Sequence, residues 1–239
     1  MAIGLSPAYA RRLREVWRSA GWPCRDNIEL DLLASGLLQR RCDAEGRETL
    51  YLGDAGIAAL AATRRRHQAA LSAHEALVER VACEMQRAGR VVWRALSLRA
   101  PLSAAQPGGA TTWAIAMPDV FSIRHTTLED CTEPVVHEIK VSRADLLSDL
   151  RSASKGAAYL ALSSQCWYVL RQGIADADEV PPTYGVMFAD EGRLEVARPA
   201  PRRAMRPPFA VWMALARAHA EPVREGEQAW LAPDDAGAV

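Results

Sequence analysis

The sequence contains almost no lysine. Lys140 and Lys155 are its two lysines, and arginine supplies the rest of the 29 basic side chains among 239 residues. A lysine ammonium is a compact charge on a flexible stem and does not replace the planar guanidinium of arginine, so the two exceptions carry information. Lys140 lies in the apolar segment 135–141, which predicts a lysine inside a buried strand.

Net charge, paired cysteine motifs and long apolar runs are also missing. The 29 basic and 29 acidic side chains cancel, so nucleic-acid binding would have to come from local patches. The five cysteines form no C-x-x-C pair and have no zinc spacing with histidine, which predicts reduced thiols in a cytoplasmic protein. No stretch approaches the roughly 18 apolar residues of a membrane span, and the first residues show no signal-peptide pattern, so we expect no membrane partner.

What is present is ordinary globular composition, with 49% hydrophobic and 24% charged residues and room for one large domain or two small ones. Patterning divides the chain into a first unit at 1–68, a second unit at 69–220 and a polar tail at 221–239. The segment 64–68 between the units is either a linker or part of one continuous helix.

The residue pattern of the first unit predicts two helices at 8–17 and 28–35, two short strands at 37–40 and 49–52, and a helix at 55–66. Ser6 and Asp54 are the predicted caps of the first and last helices. This order resembles a winged-helix domain, which would contact either DNA or another protein. Three arginines would lie on or beside the wing, where phosphate contact is common: Arg40, Arg41 and Arg47. The surplus of three positive charges over residues 1–66 does not decide between DNA and protein.

The second unit begins with a predicted helix from residue 74 to Gly89. Strand patterns follow at 91–98, 113–117, 120–123, 135–141, 166–170, 185–188 and 193–197, and helix patterns at 142 onward, 152–163 and 208–220. Residues 101–112, rich in Pro, Gly and Ala, predict a loop. Ser142 is the predicted cap of the helix that follows the lysine strand.

Three residues of this unit suggest chemistry. Glu138 and Lys140 are two positions apart on a strand and therefore share a face, and a hairpin would bring Asp119 beside Glu138. Two carboxylates and a backbone carbonyl form an oxygen-rich site suited to Mg²⁺ or Mn²⁺. A neighbouring lysine can orient a water and offset charge at a phosphoryl group.

Pro118-Asp119 and Glu138-Ile139-Lys140 resemble the motif of the PD-(D/E)xK nuclease superfamily, and the stretch 118–170 is similar to its MmcB-like family of DNA-repair proteins. The resemblance implies an α/β (α+β) chain with a restriction-endonuclease-like core, in which a mixed central sheet is flanked by helices. It implies DNA as partner and Mg²⁺ or Mn²⁺ as cofactor, held by Asp119, Glu138 and the Ile139 carbonyl, with Lys140 as catalytic lysine. An acid on the first helix, Glu75 or Glu79, would join them, and the helix after the lysine strand would contribute Lys155 to catalysis and nucleic-acid binding, with Tyr159 one turn on.

Each of these residues has an alternative interpretation. Glu138 and Lys140 could be a surface ion pair, with Asp119 as a turn residue. His137 is more consistent with a core histidine than with a ligand, and His74 with a helix N-terminus than with a metal neighbour. Asp145 and Asp149 predict a solvated helix face, with a second metal site as the alternative. Three tryptophans in apolar strands predict core positions over a base-stacking platform: Trp93, Trp113 and Trp167.

The sequence therefore favours a metal-dependent nuclease that hydrolyses DNA phosphodiester bonds and is targeted by a winged helix, in DNA repair or defence. The first alternative is a non-catalytic DNA-binding or regulatory protein on the same fold. The second is a protein-interaction module built around the winged helix. A homodimer is compatible with each of them.

Overall fold

The computed structural model describes residues 5–102 and 112–222. The chain divides into two compact units, Met1–Ser72 and Ala73–Val239. Most of the predicted loop at 101–112 and most of the predicted tail at 221–239 lie outside the described residues. Within the described ranges, no helix has the length and apolar character needed to cross a membrane.

The first unit packs two helices and a two-stranded antiparallel sheet against the beginning of a third helix. Its elements are α1 (Pro7–Arg18), α2 (Asn27–Ala34), β1 (Leu38–Cys42), β2 (Glu48–Leu52) and the start of α3 (Asp54–Arg87). The side chains of Ser6 and Asp26 cap α1 and α2 by accepting from backbone amides in the first turn. The helices and strands predicted for this unit are confirmed, except that its last helix continues beyond residue 66 and that Asp54 is the first residue of this helix and not its cap. Its core is aliphatic and consists of Leu13, Val16, Leu32, Leu38, Leu50 and Leu52.

Helix α3 continues through residues 64–68 and reaches Arg87 without a break. The continuous-helix alternative is therefore correct for this segment. After Gly56 the helix contains neither glycine nor proline, and it is rich in alanine, so helix propensity favours its continuation.

The second unit is built around a six-stranded mixed sheet. In chain order its elements after α3 are β3 (Arg90–Arg94), β4 (Leu98–Leu102), β5 (Thr112–Ala116), β6 (Val120–Arg124), β7 (Val135–Lys140), α4 (Arg143–Leu150), α5 (Ala153–Leu162), β8 (Gln165–Arg171), β9 (Gly185–Ala189), β10 (Leu194–Arg198) and α6 (Phe209–Arg217), with 3-10 turns at Glu129–Cys131 and Ala177–Glu179. The strand order is β10-β9-β8-β7-β6-β3. The pairs β7–β8 and β8–β9 are parallel, and the other pairs of this sheet are antiparallel.

Helices cover both faces of this sheet. One face packs against α4, α5 and α6 through a core that includes Val136, Leu146 and Tyr159. The other face packs against the second half of α3 through a core that includes Val81, Ile139 and Val169. The expectation of a mixed α+β architecture with a central sheet flanked by helices is confirmed at this level.

The strand predicted at 91–98 is wrong, because the chain turns within it. β3 ends at Arg94, Ala95 has a positive φ of 49°, and β4 begins three residues later and pairs with β5 in a separate two-stranded sheet, the β4–β5 ribbon. A run of residues with strand propensity does not reveal such a break. The predicted loop at 101–112 is correspondingly too long, since positions 101, 102 and 112 belong to the ribbon strands.

The predicted core tryptophans separate into two groups. Trp93 and Trp167 are buried, as expected, whereas Trp113 on the ribbon is 50% exposed. The core assignment of Trp113 is therefore wrong. His137 is buried and its ring stacks on that of Trp167 with centroids 6.5 Å apart, which confirms its interpretation as a core histidine.

His137 should make the protein acid-sensitive. Burial, helped by the positive charge of Arg90, lowers the pKa of His137 to about 3. In the unfolded chain this residue binds a proton near pH ~6.5. The contribution of neutral His137 to stability is therefore fully present above that pH and is lost as the pH drops toward the folded-state pKa. We expect this residue to cost about 1.5 kcal/mol of unfolding free energy between pH 6.5 and pH 5.

Urea unfolding at these two pH values would measure the effect, with His137→Phe as the matched variant because phenylalanine keeps a ring against Trp167. The variant should show a smaller loss on acidification than the wild type. An unchanged loss would assign the acid sensitivity to other groups.

Candidate functional site

The candidate site lies where β6 and β7 stop pairing. The β6–β7 ladder ends at the pair Val120–His137, so residues 138–140 extend beyond β6. Asp119 comes directly before β6 and occupies this gap, where its Oδ2 accepts a hydrogen bond of 2.7 Å from the amide of Ile139. The carboxylate thus continues the ladder by one bond and is held at the edge of the lysine strand.

The carbonyl of Ile139 faces the same edge. The N–H and C=O of one residue in a strand point to the same side, which is why two opposed residues can exchange both bonds in an antiparallel pair. Because the Ile139 amide donates to Asp119, its carbonyl is directed toward the Asp119 side of β7. This edge therefore presents a carboxylate and a backbone oxygen together.

Glu138 and Lys140 point to the face covered by α4 and α5. All six residues of β7 are buried, and the side chains of Glu138 and Lys140 are 4% and 5% exposed. The Lys140 ammonium donates to Glu138 Oε1 at 2.9 Å, and the Lys155 ammonium donates to the same oxygen at 2.6 Å. The surface ion-pair alternative is wrong, because this pair is buried.

The second oxygen of Glu138, Oε2, is buried and accepts no hydrogen bond of good geometry from the residues that the structure describes, although the Tyr159 hydroxyl lies near this carboxylate. A buried carboxylate oxygen without a donor is costly. Such an atom in a site this polar calls for an explanation, and a bound cation or water is the ordinary one.

Asp149 belongs to the same cluster, although the sequence predicted a solvated position for it. Its side chain is 7% exposed, forms an ion pair with Lys155 and accepts a 2.9 Å hydrogen bond from the Tyr168 hydroxyl. Asp145, by contrast, is 54% exposed and lies 3.5 Å from the Lys140 ammonium, as a solvated residue near the cluster. Asp149 follows the buried Leu146 by three positions on α4, so helical spacing was the signal that could have identified it.

Electrostatics hold both lysines in the charged form. Burial acts to lower the pKa of Lys140 and of Lys155, but Glu138 and Asp149 together outweigh it and raise both pKa values above the usual range. Burial also raises the pKa of Asp119, and the negative charge of Glu138 adds to this shift. The carboxyl groups of Asp119, Glu138 and Asp149 outnumber the two ammonium groups of this cluster, and the exposed Asp145 adds a fourth carboxyl group near Lys140.

Tyr159 adds a neutral hydroxyl to the cluster. Its hydroxyl donates to the carbonyl of Met117 at 3.2 Å, and the Lys155 ammonium lies 5.3 Å from the centre of its ring. Burial, followed by the charge of Glu138, raises the pKa of Tyr159 far above its usual range. Tyr159 is therefore a hydrogen-bond donor at neutral pH and not a base.

Helix α3 brings His74 to Asp119, and because this residue lies well inside α3, its interpretation as a helix N-terminal residue is wrong. His74 Nε2 lies 3.3 Å from Asp119 Oδ2, whereas Glu75 Oε1 lies 3.7 Å from His74 Nδ1. The Glu75 side chain is 64% exposed. The hydrogen bond that Arg94 donates to Glu221 is the main cause that raises the pKa of Arg94, with smaller contributions from the charges of Glu79 and Glu75. Both helix acids therefore act on Arg94, and His74 is the α3 residue in contact with Asp119.

Whether a metal fits can be judged from the donor atoms. Among residues 5–102 and 112–222, no group of three or more His, Cys, Asp and Glu side chains is arranged to hold a metal ion. The set at the edge of β7 is of another kind, with two carboxylates and one backbone carbonyl. Such oxygen donors, completed by water, suit Mg²⁺. The unpartnered Glu138 Oε2 is the atom that makes this set compatible with a cation.

The arginines predicted for the wing are exposed but largely paired. Arg47 contacts Asp43 at 2.8 Å and Glu45 at 3.2 Å. Arg40 lies 3.5 Å from Glu48, and the guanidinium of Arg41 stacks over the Tyr51 ring at 5.1 Å. Phosphate contact by Arg40 and Arg47 would compete with these acids, so Arg41 is the more available cation.

Asp119→Asn should stabilise the folded chain at neutral pH. The folded-state pKa of Asp119 is raised by burial and by Glu138, so ionisation of this carboxyl costs stability as the pH rises above its unfolded value. Asparagine can still accept from the Ile139 amide but carries no charge. We expect a higher midpoint of thermal unfolding at pH 7, with the gain disappearing as the pH falls and Asp119 becomes protonated.

Calorimetry at pH 7 and pH 4 would test this expectation, with Asp130→Asn as control because Asp130 is an exposed acid paired with Arg206. A lower midpoint for Asp119→Asn at pH 7 would contradict it.

No protein-family model matches the chain, and no curated protein matches it. Among solved structures, the chain is similar to a protein of unknown function from Silicibacter pomeroyi, with 20% sequence identity and a TM-score of 0.38. The match covers 55% of this chain and 73% of that one.

Proposed function

We propose that the second unit is a Mg²⁺- or Mn²⁺-dependent nuclease that hydrolyses DNA phosphodiester bonds at the cluster around Glu138. The observation that carries the proposal is the buried, unpartnered Oε2 of Glu138 beside Asp119, which is held on the Ile139 amide. Their spacing along the chain is that of the PD-(D/E)xK motif. The restriction-endonuclease-like core is part of the same proposal.

Each residue has a role that follows from its surroundings. Asp119, Glu138 and the Ile139 carbonyl would hold the metal ion. When bound, the ion supplies Lewis-acid polarisation of a phosphoryl oxygen and a more acidic water. Lys140 remains charged because Glu138 and Asp149 together raise its pKa against the effect of burial, so it serves as a hydrogen-bond donor and counter-charge and not as a base.

Lys155 has a different position from Lys140. Its side chain is 33% exposed, against 5% for Lys140, while its ammonium contacts both Glu138 and Asp149. It can therefore fix the orientation of Glu138 and still meet a phosphate arriving from solvent. Tyr168 holds Asp149 in this arrangement by donating a hydrogen bond to its carboxylate. His74 would orient Asp119 from the opposite side.

The first unit is proposed to be a winged-helix domain that docks on DNA. The order of two helices, a β-hairpin and a third helix supports this assignment, as does the exposed Arg41 on the hairpin. A setting in DNA repair or defence rests on the resemblance to the MmcB-like family alone.

A non-catalytic DNA-binding or regulatory protein is the second candidate, and one observation favours it. Both lysines already donate to Glu138 Oε1, so the cluster is partly neutralised without a metal. In this case the ion pairs would hold β7 to α5 and perform no chemistry.

Cleavage assays separate the two candidates. Labelled single-stranded, duplex and branched DNA would be incubated with the full chain in Mg²⁺, in Mn²⁺ and in EDTA. Metal-dependent cleavage is the expected result. DNA binding that weakens with salt, without cleavage of any substrate in either metal, would support the regulator instead.

A further inference from the structure

The β4–β5 ribbon carries an exposed apolar stripe made of Trp113, Ile115 and Met117. These side chains are 50%, 75% and 56% exposed. They occur at every second position and therefore share one face of β5 and its continuation. Single exposed apolar residues need no explanation, but three in a row on one strand indicate a contact surface.

The opposite face of the ribbon is anchored to the second unit. Leu98, Ala100 and Ala116 are buried in the core that also contains α5 residues such as Tyr159. The ribbon is thus firmly packed on one side, and the stripe is displayed on a rigid support. A rigid surface loses little conformational entropy when it binds.

A cation lies on the same face as the stripe. The register of the ribbon places Arg99 opposite Ile115 and Pro101 opposite Trp113, and directly opposed residues point to the same side. Arg99 is exposed and has no acidic partner within the described ranges 5–102 and 112–222. The face therefore combines apolar side chains with one free guanidinium, which suits a ligand with flat apolar groups and negative charge.

The stripe is continuous with the candidate site. Met117 is two residues before Asp119, and its carbonyl accepts from Tyr159 inside the cluster. At about 3.3 Å per residue, Trp113 lies no more than roughly 20 Å along the chain from Asp119. A polymer bound at Asp119 that runs toward β5 would reach the stripe.

We propose that the stripe and Arg99 bind the unpaired bases of a DNA strand whose backbone is held at the Asp119 cluster. This inference rests on the proposed nuclease function and specifies its substrate class. Aromatic and aliphatic side chains stack on exposed base faces in a sequence-tolerant way, and a nearby arginine contacts the phosphates.

An intact duplex does not offer this contact, because its base faces are stacked on one another and its surface presents phosphates and groove edges. The preferred substrate is consequently single-stranded DNA or a duplex that contains a flap, gap or bubble. The first unit and the stripe would then have separate tasks, the former on duplex DNA and the latter on the unpaired strand.

Binding in EDTA tests the inference without any need for turnover. Fluorescence anisotropy of the full chain would be measured with single-stranded, intact duplex and flapped DNA. Trp113→Ala and Ile115→Ser should each weaken binding to single-stranded and flapped DNA by about tenfold or more, and binding to intact duplex less than about twofold. Trp113→Phe should retain most of the affinity, because phenylalanine also stacks.

Leu128→Ser is the matched control, since Leu128 is 64% exposed and follows the other end of β6. Unchanged circular dichroism would show that the variants are folded. Equal losses on all three DNAs, or no loss on any, would overturn the inference. Conversion of a dimer to a monomer by Ile115→Ser, with DNA binding intact, would also overturn it and assign the stripe to a second copy of the chain.

The outcome is separable from that of the nuclease proposal. Stripe variants that lose single-strand binding in a protein that never cleaves would support the stripe and contradict the nuclease. If the protein cleaves intact duplex DNA and the stripe variants cleave it equally well, the result would support the nuclease and contradict the proposal for the stripe.

Discussion

Replacement of Lys140 by methionine should lower the rate of metal-dependent DNA cleavage by about 10³-fold, the scale on which one preorganised donor to a transition-state charge acts. Methionine keeps much of the stem volume in a side chain that is 5% exposed, while the ammonium is removed. Glu138 would still be paired with Lys155, so the carboxylate stays in place. The loss would therefore report on the charge of Lys140 and not on collapse of the site.

Two further variants sharpen this experiment. Asp119→Asn should reduce cleavage to a similar extent while it raises stability, because the same carboxylate that would hold the metal is unfavourable in the folded chain without one. Asp130→Asn is the control, since this exposed acid is paired with Arg206 outside the cluster, and we expect cleavage close to the wild-type rate. Single-turnover rates at saturating Mn²⁺ would measure all three. Equal rates for Lys140→Met and wild type would exclude Lys140 from the chemistry.

Glu138→Gln should be the most destabilising single change at the cluster, with a cost of about 3 kcal/mol in the free energy of unfolding. Glutamine has the same shape as glutamate but no charge. The Lys140 ammonium would then have as its nearest anions the exposed Asp145 at 3.5 Å and Asp149 at 3.7 Å. A buried charge whose close partner is removed is far more costly than the pair was favourable.

A double-mutant cycle would isolate the cause. Lys140→Met alone should cost less than Glu138→Gln, because Glu138 keeps Lys155 as a partner. The combination of both substitutions should recover much of the stability lost in Glu138→Gln, since no unpaired ammonium remains at position 140. Urea unfolding of the full chain followed by circular dichroism gives the three free energies. If Glu138→Gln is at least as stable as the wild type, the carboxylate is strained in the folded chain, and its ion pairs contribute no net stability.

The cleavage and stability experiments together distinguish the two candidate functions of the Glu138–Lys140 pair. A large loss of stability together with no cleavage in any variant or wild type would favour the non-catalytic regulator, in which Glu138 is a structural counter-ion. Cleavage that depends on Lys140 would favour the nuclease, with the structural cost as a consequence of holding the lysine in place.

Most helices and strands of this protein could be predicted from its sequence. The caps at Ser6 and Ser142 and the buried strand 135–141 follow from local chemistry, since a hydroxyl accepts from the nearby helix amides and alternating side chains select faces. The proximity of Asp119 to Glu138 was also expected, because consecutive antiparallel strands bring such positions together. The limits of local reasoning were visible at Ala95, where a single left-handed residue divides a run of residues with strand propensity into two strands.

The membership of the cluster was decided by tertiary packing. Asp149 and Lys155 are on different helices, and their meeting at Glu138 depends on how α4 and α5 cross the sheet, which no local pattern encodes. The same is true of His74, which contacts Asp119 from α3. The sequence alone determined the helices and strands and the residues on each of their faces, because propensity and alternation act over a few residues. The tertiary structure decided which of them meet, because burial and charge pairing are settled between segments that are distant along the chain.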